Sequence, residues 1–310
     1  TCTHVKSNIS IKALLPKKNI ICFSISIVAS LICISISVIM ILVVIFHRQC
    51  RTINNVMMCN IATATLVYAI LQIISAGFAL QSEWFTYQPA CFLRAYLYNA
   101  SCTAVCVSYT VQSISRLFFT LFYKHRLLLT WRMHWFLISF TYVAMMILPI
   151  PAALLQVGFG FEVESRFCTI STKVFSSSLL CATTAYLIPI STSIIIYLII
   201  LFYIRQSTRR VNVHVTMTHT VSATRSIQPL NLRREIKLLK NILLLVIIMV
   251  CAGLPYMSLL FWQAIQPSQA PPTPFYLLVL LVITVAFAIK MIVMIHMTTD
   301  IRNVILEYLH

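Results

Sequence analysis

The chain has 310 residues, 60% of them hydrophobic and only 9% charged, with a mean hydropathy of +0.92. Ordinary soluble domains carry about a quarter charged residues, so six acidic residues in the whole chain exclude a water-covered fold. The formal charge of +17 would suit nucleic acid on a soluble scaffold, but the basic residues sit between apolar runs. That placement reads as membrane topology and excludes nucleic acid as the partner.

About 20 apolar residues cross the hydrocarbon of a bilayer, where only internally hydrogen-bonded backbone survives. Seven runs reach that length, at 20–46, 53–80, 88–121, 133–155, 178–204, 236–263 and 274–297. The expected fold class is an all-α membrane protein, a seven-transmembrane helix bundle over 20–297 preceded by an N-terminal segment 1–19. Arg48, Arg51, Arg116, Lys124, Arg126, Arg132 and the basic stretch from Arg205 to Lys240 fall on one side of it. The positive-inside rule makes that side cytoplasmic and the N-terminus extracellular, as expected for a multi-pass plasma-membrane protein.

Glu162 and Glu164 then lie outside, as does Asn8, which heads the glycosylation sequon Asn8-Ile9-Ser10. Residues 205–234, basic and rich in Ser and Thr, read as a third cytoplasmic loop. In 298–310, Ile301, Val304, Ile305 and Leu309 recur at helical spacing beside Asp300, Arg302 and Glu307. This predicts a short amphipathic helix on the cytoplasmic membrane surface. The eleven cysteines form no CxxC pair and no ligand cluster, so no metal or other cofactor is expected. Most sit in apolar runs as small hydrophobes, whereas Cys91 and Cys168 lie outside the membrane.

Several landmarks share a spacing that resembles the rhodopsin-like family of G-protein-coupled receptors. Arg116 stands 25 residues after Cys91, in Ser115-Arg116-Leu117. Pro189 and Tyr197 are eight apart in the fifth run, and Glu235 precedes Pro255 by 20 residues in the sixth. Asn60-Ile61-Ala62-Thr63-Ala64 is similar to the family's second-helix motif, and Trp84, seven residues before Cys91, matches its first-loop tryptophan. The resemblance implies a Cys91–Cys168 disulfide, a coupling arginine at Arg116 and an ionic-lock acid at Glu235. It also implies a tyrosine that swings inward on activation at Tyr197 and helix hinges at Pro189 and Pro255.

Departures from the pattern are equally specific. Ser37 and Thr65 stand where the family has a first-helix asparagine and a second-helix aspartate, and Tyr142 replaces the fourth-helix tryptophan. The tryptophan switch before Pro255 is absent from Cys251-Ala252-Gly253-Leu254-Pro255, and the seventh-helix motif reads Lys290-Met291-Ile292-Val293-Met294. The carboxylate of a bound sodium ion is therefore missing. Lys290 is read either as a tethered cation in that polar channel or as a charge snorkelling toward the cytoplasm.

The ligand is expected in the outer third of the bundle, against Tyr98, Asn99 and Cys102 on the third helix and Tyr256, Leu260 and Trp262 on the sixth. Tyr98 replaces the aspartate of amine receptors and Thr284 the retinal-linking lysine of opsins, so neither ligand class is expected. Glu162 and Glu164 favour a peptide, with a small lipophilic ligand close behind. The resemblance implies a receptor, not an enzyme, with an extracellular ligand and a heterotrimeric G protein as partners. Arrestin and a receptor kinase would act on the hydroxyls of the third loop, and basic loops would face anionic lipid of the bilayer. A decoy or partner receptor without coupling, and a multi-span transporter, remain as alternatives. A transporter would ordinarily show internal repeats or intramembrane charge pairs, and none is visible.

Overall fold

A chain surrounded by hydrocarbon has to satisfy its own amide groups, and the apolar runs accordingly form helices. The computed structural model describes residues 17–80, 88–154, 159–162, 167–170, 175–217, 227–266 and 273–309. The elements are α1 (Lys17–Phe46), α2 (Ile53–Leu80), α3 (Gln88–Thr120), α4 (Trp131–Ile147) and a short α5 (Ile150–Leu154). Strands β1 (Phe159–Glu162) and β2 (Phe167–Ile170) follow. Next come α6 (Phe175–Ala182), a π-helical turn at Thr183–Leu187, and α7 (Ile188–Met217). The chain continues with α8 (Ile227–Ile265), α9 (Thr273–Met297) and α10 (Thr299–Leu309). Asn8, Trp84 and Glu164 lie outside the described residues.

Among the described residues, six stretches are long and apolar enough to cross a membrane, namely α1, α2, α4–α5, α6–α7, and parts of α8 and α9. Their apolar side chains point outward: Trp135, Phe136, Ile195, Phe202 and Leu254 are all exposed. Polar side chains point inward, with Ser30, Ser37, Asn60, Thr65, Gln112 and Ser113 buried. This is the arrangement of a helical bundle whose solvent is lipid. On α2, Ala62, Ala69 and Ala76 recur every seven residues without exposure, which lets neighbouring backbones approach closely.

The helix that falls short of that apolarity is α3, and its position explains why. It packs against α2, α4, α7 and both strands, so Ser101, Thr103, Ser108 and Gln112 are enclosed by protein instead of lipid. A helix surrounded on every side can carry polar residues that a lipid-facing helix cannot.

Three features differ from the expected all-α bundle. The chain between α5 and α6 forms an antiparallel hairpin pairing Phe159 with Ile170 and Phe161 with Cys168. The expected helix 133–155 is broken at Leu148–Pro149, because Pro149 and Pro151 lack the amide hydrogens a continuous helix needs. The third loop is much shorter than 205–234, since α7 runs to Met217 and α8 begins at Ile227. Polar sequence continues a helix readily once it has emerged from the membrane, where apolarity no longer marks its end. At the chain's end, α10 packs against α1 and α9 with Ile301 fully buried.

Candidate functional site

At the end of the bundle that carries the hairpin, β2 is fastened to α3. Cys168 on β2 forms a disulfide with Cys91 near the start of α3, with Cα atoms 5.2 Å apart. Arg94, one turn further along α3, donates from Nη2 to Cys168 Sγ (3.3 Å) and lies 4.1 Å above the Phe78 ring. Phe167 stacks on Phe23 of α1 at 5.7 Å, and Tyr276 of α9 donates to the Ile170 carbonyl (3.4 Å). The hairpin is thus a fixed roof held by α1, α3 and α9.

Beneath it lies a cavity of about 90 Å³. Tyr98, Asn99, Cys102 and Cys106 of α3 form one wall, and Tyr256 of α8 with Tyr276 of α9 forms another. Among the described residues, no charged side chain lines it. Four tyrosines, a few thiols and one amide give it weak hydrogen-bonding capacity in otherwise apolar walls, as small-molecule sites commonly have.

A relay leads from the cavity wall to the centre of the bundle. The Tyr98 and Tyr68 hydroxyls are 3.0 Å apart, and Tyr68 lies 3.3 Å from the Thr284 hydroxyl. The Tyr68 ring meets Phe287 edge to face at 4.6 Å, and Phe287 itself lines the cavity floor. Lys290 sits one helical turn below with no solvent exposure. Its Nζ donates to Thr65 Oγ1 (2.8 Å) and lies 4.6 Å from the Phe287 ring and 5.5 Å from that of Tyr109. The ammonium is thus enclosed within the bundle beside α2. Thr65 stands where the resemblance put the lost aspartate, so the ammonium meets a hydroxyl there.

Both prolines sit where helices are tied together. Pro189 cannot bond back to the Ala185 carbonyl, and the turn before it widens to π geometry. Its own carbonyl accepts from Thr110 of α3 (2.8 Å) and Ser193 (2.9 Å). From the same π turn, Tyr186 donates to the Met249 (3.2 Å) and Val250 (3.0 Å) carbonyls of α8. Gly253 faces the Tyr186 ring so closely that a Cβ would collide with it, and Pro255 follows two residues later within α8.

At the opposite end of the bundle, Arg116 donates from Nη2 to Asn54 Oδ1 of α2. Its neighbour Ser115 turns to α4 instead. His134 Nδ1–H donates to the Thr130 carbonyl (2.9 Å), which leaves Nε2 to accept from the Ser115 hydroxyl (3.0 Å). Tyr197 is wholly buried within electrostatic reach of Arg116, and its hydroxyl has no hydrogen-bond partner among the described residues. Glu235 is carried by α8, but its side chain lies outside the described residues, as do those of the Ser207 and Thr208 hydroxyls.

The family model for the 7 transmembrane receptor (rhodopsin family) matches residues 36–292. The chain belongs to the rhodopsin family of seven-transmembrane receptors. No curated protein matches the receptor.

Of the residues singled out from the receptor's sequence, Tyr98, Asn99, Cys102 and Tyr256 line one cavity. Leu260 and Trp262 do not. The inward face of α8 runs through Met249, Ala252, Gly253 and Tyr256; Leu260 is buried a turn beyond the cavity, and Trp262 points outward with 41% exposure. Glu162 is buried in β1, away from the cavity. Asn99 is buried inside α3 and donates to Cys181 Sγ (2.6 Å). Sequence reasoning missed Tyr186, Tyr276, Asn54 and His134. Only Tyr186 had a usable signal, its place one turn before Pro189.

Proposed function

We propose that the chain is a G-protein-coupled receptor of the plasma membrane whose ligand is small, uncharged and largely apolar. The observation that carries this reading is the uncharged, tyrosine-rich cavity beneath the hairpin, whose floor residue Phe287 also touches the buried Lys290. The N-terminus and hairpin face outward, α3 supplies a seventh crossing, and α10 lies along the inner surface of the bilayer. A peptide, favoured by Glu162 and Glu164, fits less well. Glu162 is buried in β1, and the described residues that line the cavity offer no charge to a charged side chain.

Signalling follows a shift of population. Ligand favours a conformation in which the inner part of α8 moves outward from α3 and α7, and a heterotrimeric G protein binds that conformation better. In the closed state Arg116 is held by Asn54 and pairs with Glu235. Phosphorylation by a receptor kinase and arrestin binding fall on the Ser and Thr hydroxyls of segment 205–234.

The test compares ligand-free G-protein activation for wild type, Glu235→Ala and Arg116→Ala at equal surface amounts. Glu235→Ala is expected to raise basal turnover, because the closed state loses a restraint, and Arg116→Ala to lower it. If all three are silent across a panel of G proteins, coupling is refuted and a partner receptor without coupling takes its place.

Tyr197 offers a second check. A buried hydroxyl without a partner costs about 1–3 kcal/mol, so Tyr197→Phe is expected to raise the melting temperature of the resting receptor. If the hydroxyl gains its partner only when α7 swings inward, the same variant lowers agonist-driven turnover. A variant that melts earlier and signals normally would remove Tyr197 from the mechanism.

A further inference from the structure

We infer that the cavity captures soft electrophiles covalently, with the Cys102 sulfur as the nucleophile and α,β-unsaturated ketones as the class of ligand. The inference rests on the reading that the ligand occupies this cavity, and adds to it a bond that forms there.

Three thiols line the same small space, Cys102, Cys106 and Cys181. They differ in what they present to it. Cys181 is buried and its sulfur accepts the Asn99 amide. Cys106 is buried one helical turn from Cys102. Cys102 retains exposed surface although it sits midway along an enclosed helix, and that surface belongs to the cavity wall. It is the sulfur a cavity-bound molecule can reach.

The surroundings suit attack by this sulfur. The Lys290 ammonium lies within electrostatic reach of Cys102 and Cys106. A fixed cation stabilises the negative charge that grows on sulfur as it attacks. The Tyr256 phenol, in the same cavity, can donate to a carbonyl oxygen that gains charge during the addition. Uncharged walls exclude charged electrophiles and admit the small neutral ones that partition into a bilayer.

The step is a conjugate addition that balances without a further reactant. A bond forms between Cys102 Sγ and the β carbon of the enone while the carbon–carbon π bond breaks. The enolate so formed takes up at its α carbon a proton equivalent to the one released by the thiol. No oxidant is needed and no group leaves.

The experiment uses the full chain in lipid nanodiscs treated with ethyl vinyl ketone, with pentan-3-one as the saturated analogue of nearly equal size. Adducts are mapped by mass spectrometry on peptides bearing Cys102 and the outward-facing Cys251, and thermal stability is followed in parallel. Cys102 is expected to be labelled about tenfold faster than Cys251, with saturation in reagent concentration. Excess pentan-3-one is expected to slow Cys102 labelling and leave Cys251 unchanged. In Cys102→Ser the fast adduct disappears, while protection against heat by pentan-3-one remains.

Labelling of Cys102 no faster than Cys251 overturns the covalent inference. If pentan-3-one still raises the melting temperature in that case, the cavity remains the ligand site. If pentan-3-one neither stabilises the receptor nor protects Cys102, the cavity reading fails as well.

Discussion

Replacing Lys290 with methionine is expected to make the receptor melt several degrees higher. An ammonium removed from water without a carboxylate carries a desolvation cost of several kcal/mol. Among the described residues its contacts are one hydroxyl and two aromatic faces, the stronger of which offset about 2 kcal/mol. Methionine keeps the length and packing of the lysine stem. It leaves no orphan behind, because the Thr65 hydroxyl already donates to the Ile61 carbonyl (2.8 Å). A gain of about 1–3 kcal/mol follows from the unrepaid part of the desolvation cost, at roughly 2–4 °C for each kcal/mol. Thermal unfolding in detergent, monitored by tryptophan or thiol fluorescence, checks this. A lower melting temperature would mean that the cation is structurally required.

The same lysine predicts how the receptor responds to salt. With Thr65 in the aspartate's place and a fixed ammonium bonded to it, a sodium ion would meet repulsion there and no carboxylate. Basal activity is therefore expected to be unchanged when sodium is exchanged for choline at equal ionic strength. A shift in wild type would contradict the assignment.

The second large effect is expected from the hairpin's anchor. Exchanging both Cys91 and Cys168 for alanine opens a closure spanning 77 residues and frees the roof of the cavity. Loss of a native disulfide typically costs about 2–5 kcal/mol. Arg94 loses its sulfur partner at the same time, while Phe167 keeps its ring contacts with Phe23 and Tyr98. Most of the protein is expected to be retained inside the cell, and the purified remainder to melt markedly earlier than wild type. Surface staining against total expression, followed by a melting curve, measures both. Normal surface display with unchanged melting would show that the hairpin is held by packing alone.

The helices were legible in the sequence to the extent that hydrocarbon demanded them. Residues 53–80 and α2 coincide, because both ends are set by polar residues meeting water. Where water or protein replaced lipid, apolarity stopped marking structure. That is why α7 and α8 extend beyond their apolar runs, and why the hairpin was read as plain loop despite its Phe-rich strands. The cavity was half legible. Tyr98 and Cys102 could be placed by counting along α3 from Cys91, but the opposite wall depended on the rotation of α8. That rotation is set by Gly253 packing on Tyr186, a contact between helices that no linear spacing records. Arg116 was visible by its spacing, whereas its bond to Asn54 depends on how α2 lies beside α3.

The length of α8 has a mechanical consequence. At 39 residues it is about 58 Å long, nearly twice the thickness of the hydrocarbon it crosses. Pro255 stands near one end, leaving an arm of roughly 42 Å between it and Ile227. A bend of roughly 10° at the proline would sweep the far tip through about 7 Å, with less than a third of that travel at the level of Met249. The helix is a lever with a short effort side, at the cavity, and a long load side, toward Ile227. A ligand that shifts the cavity wall by a fraction of an ångström therefore moves the distant tip by several.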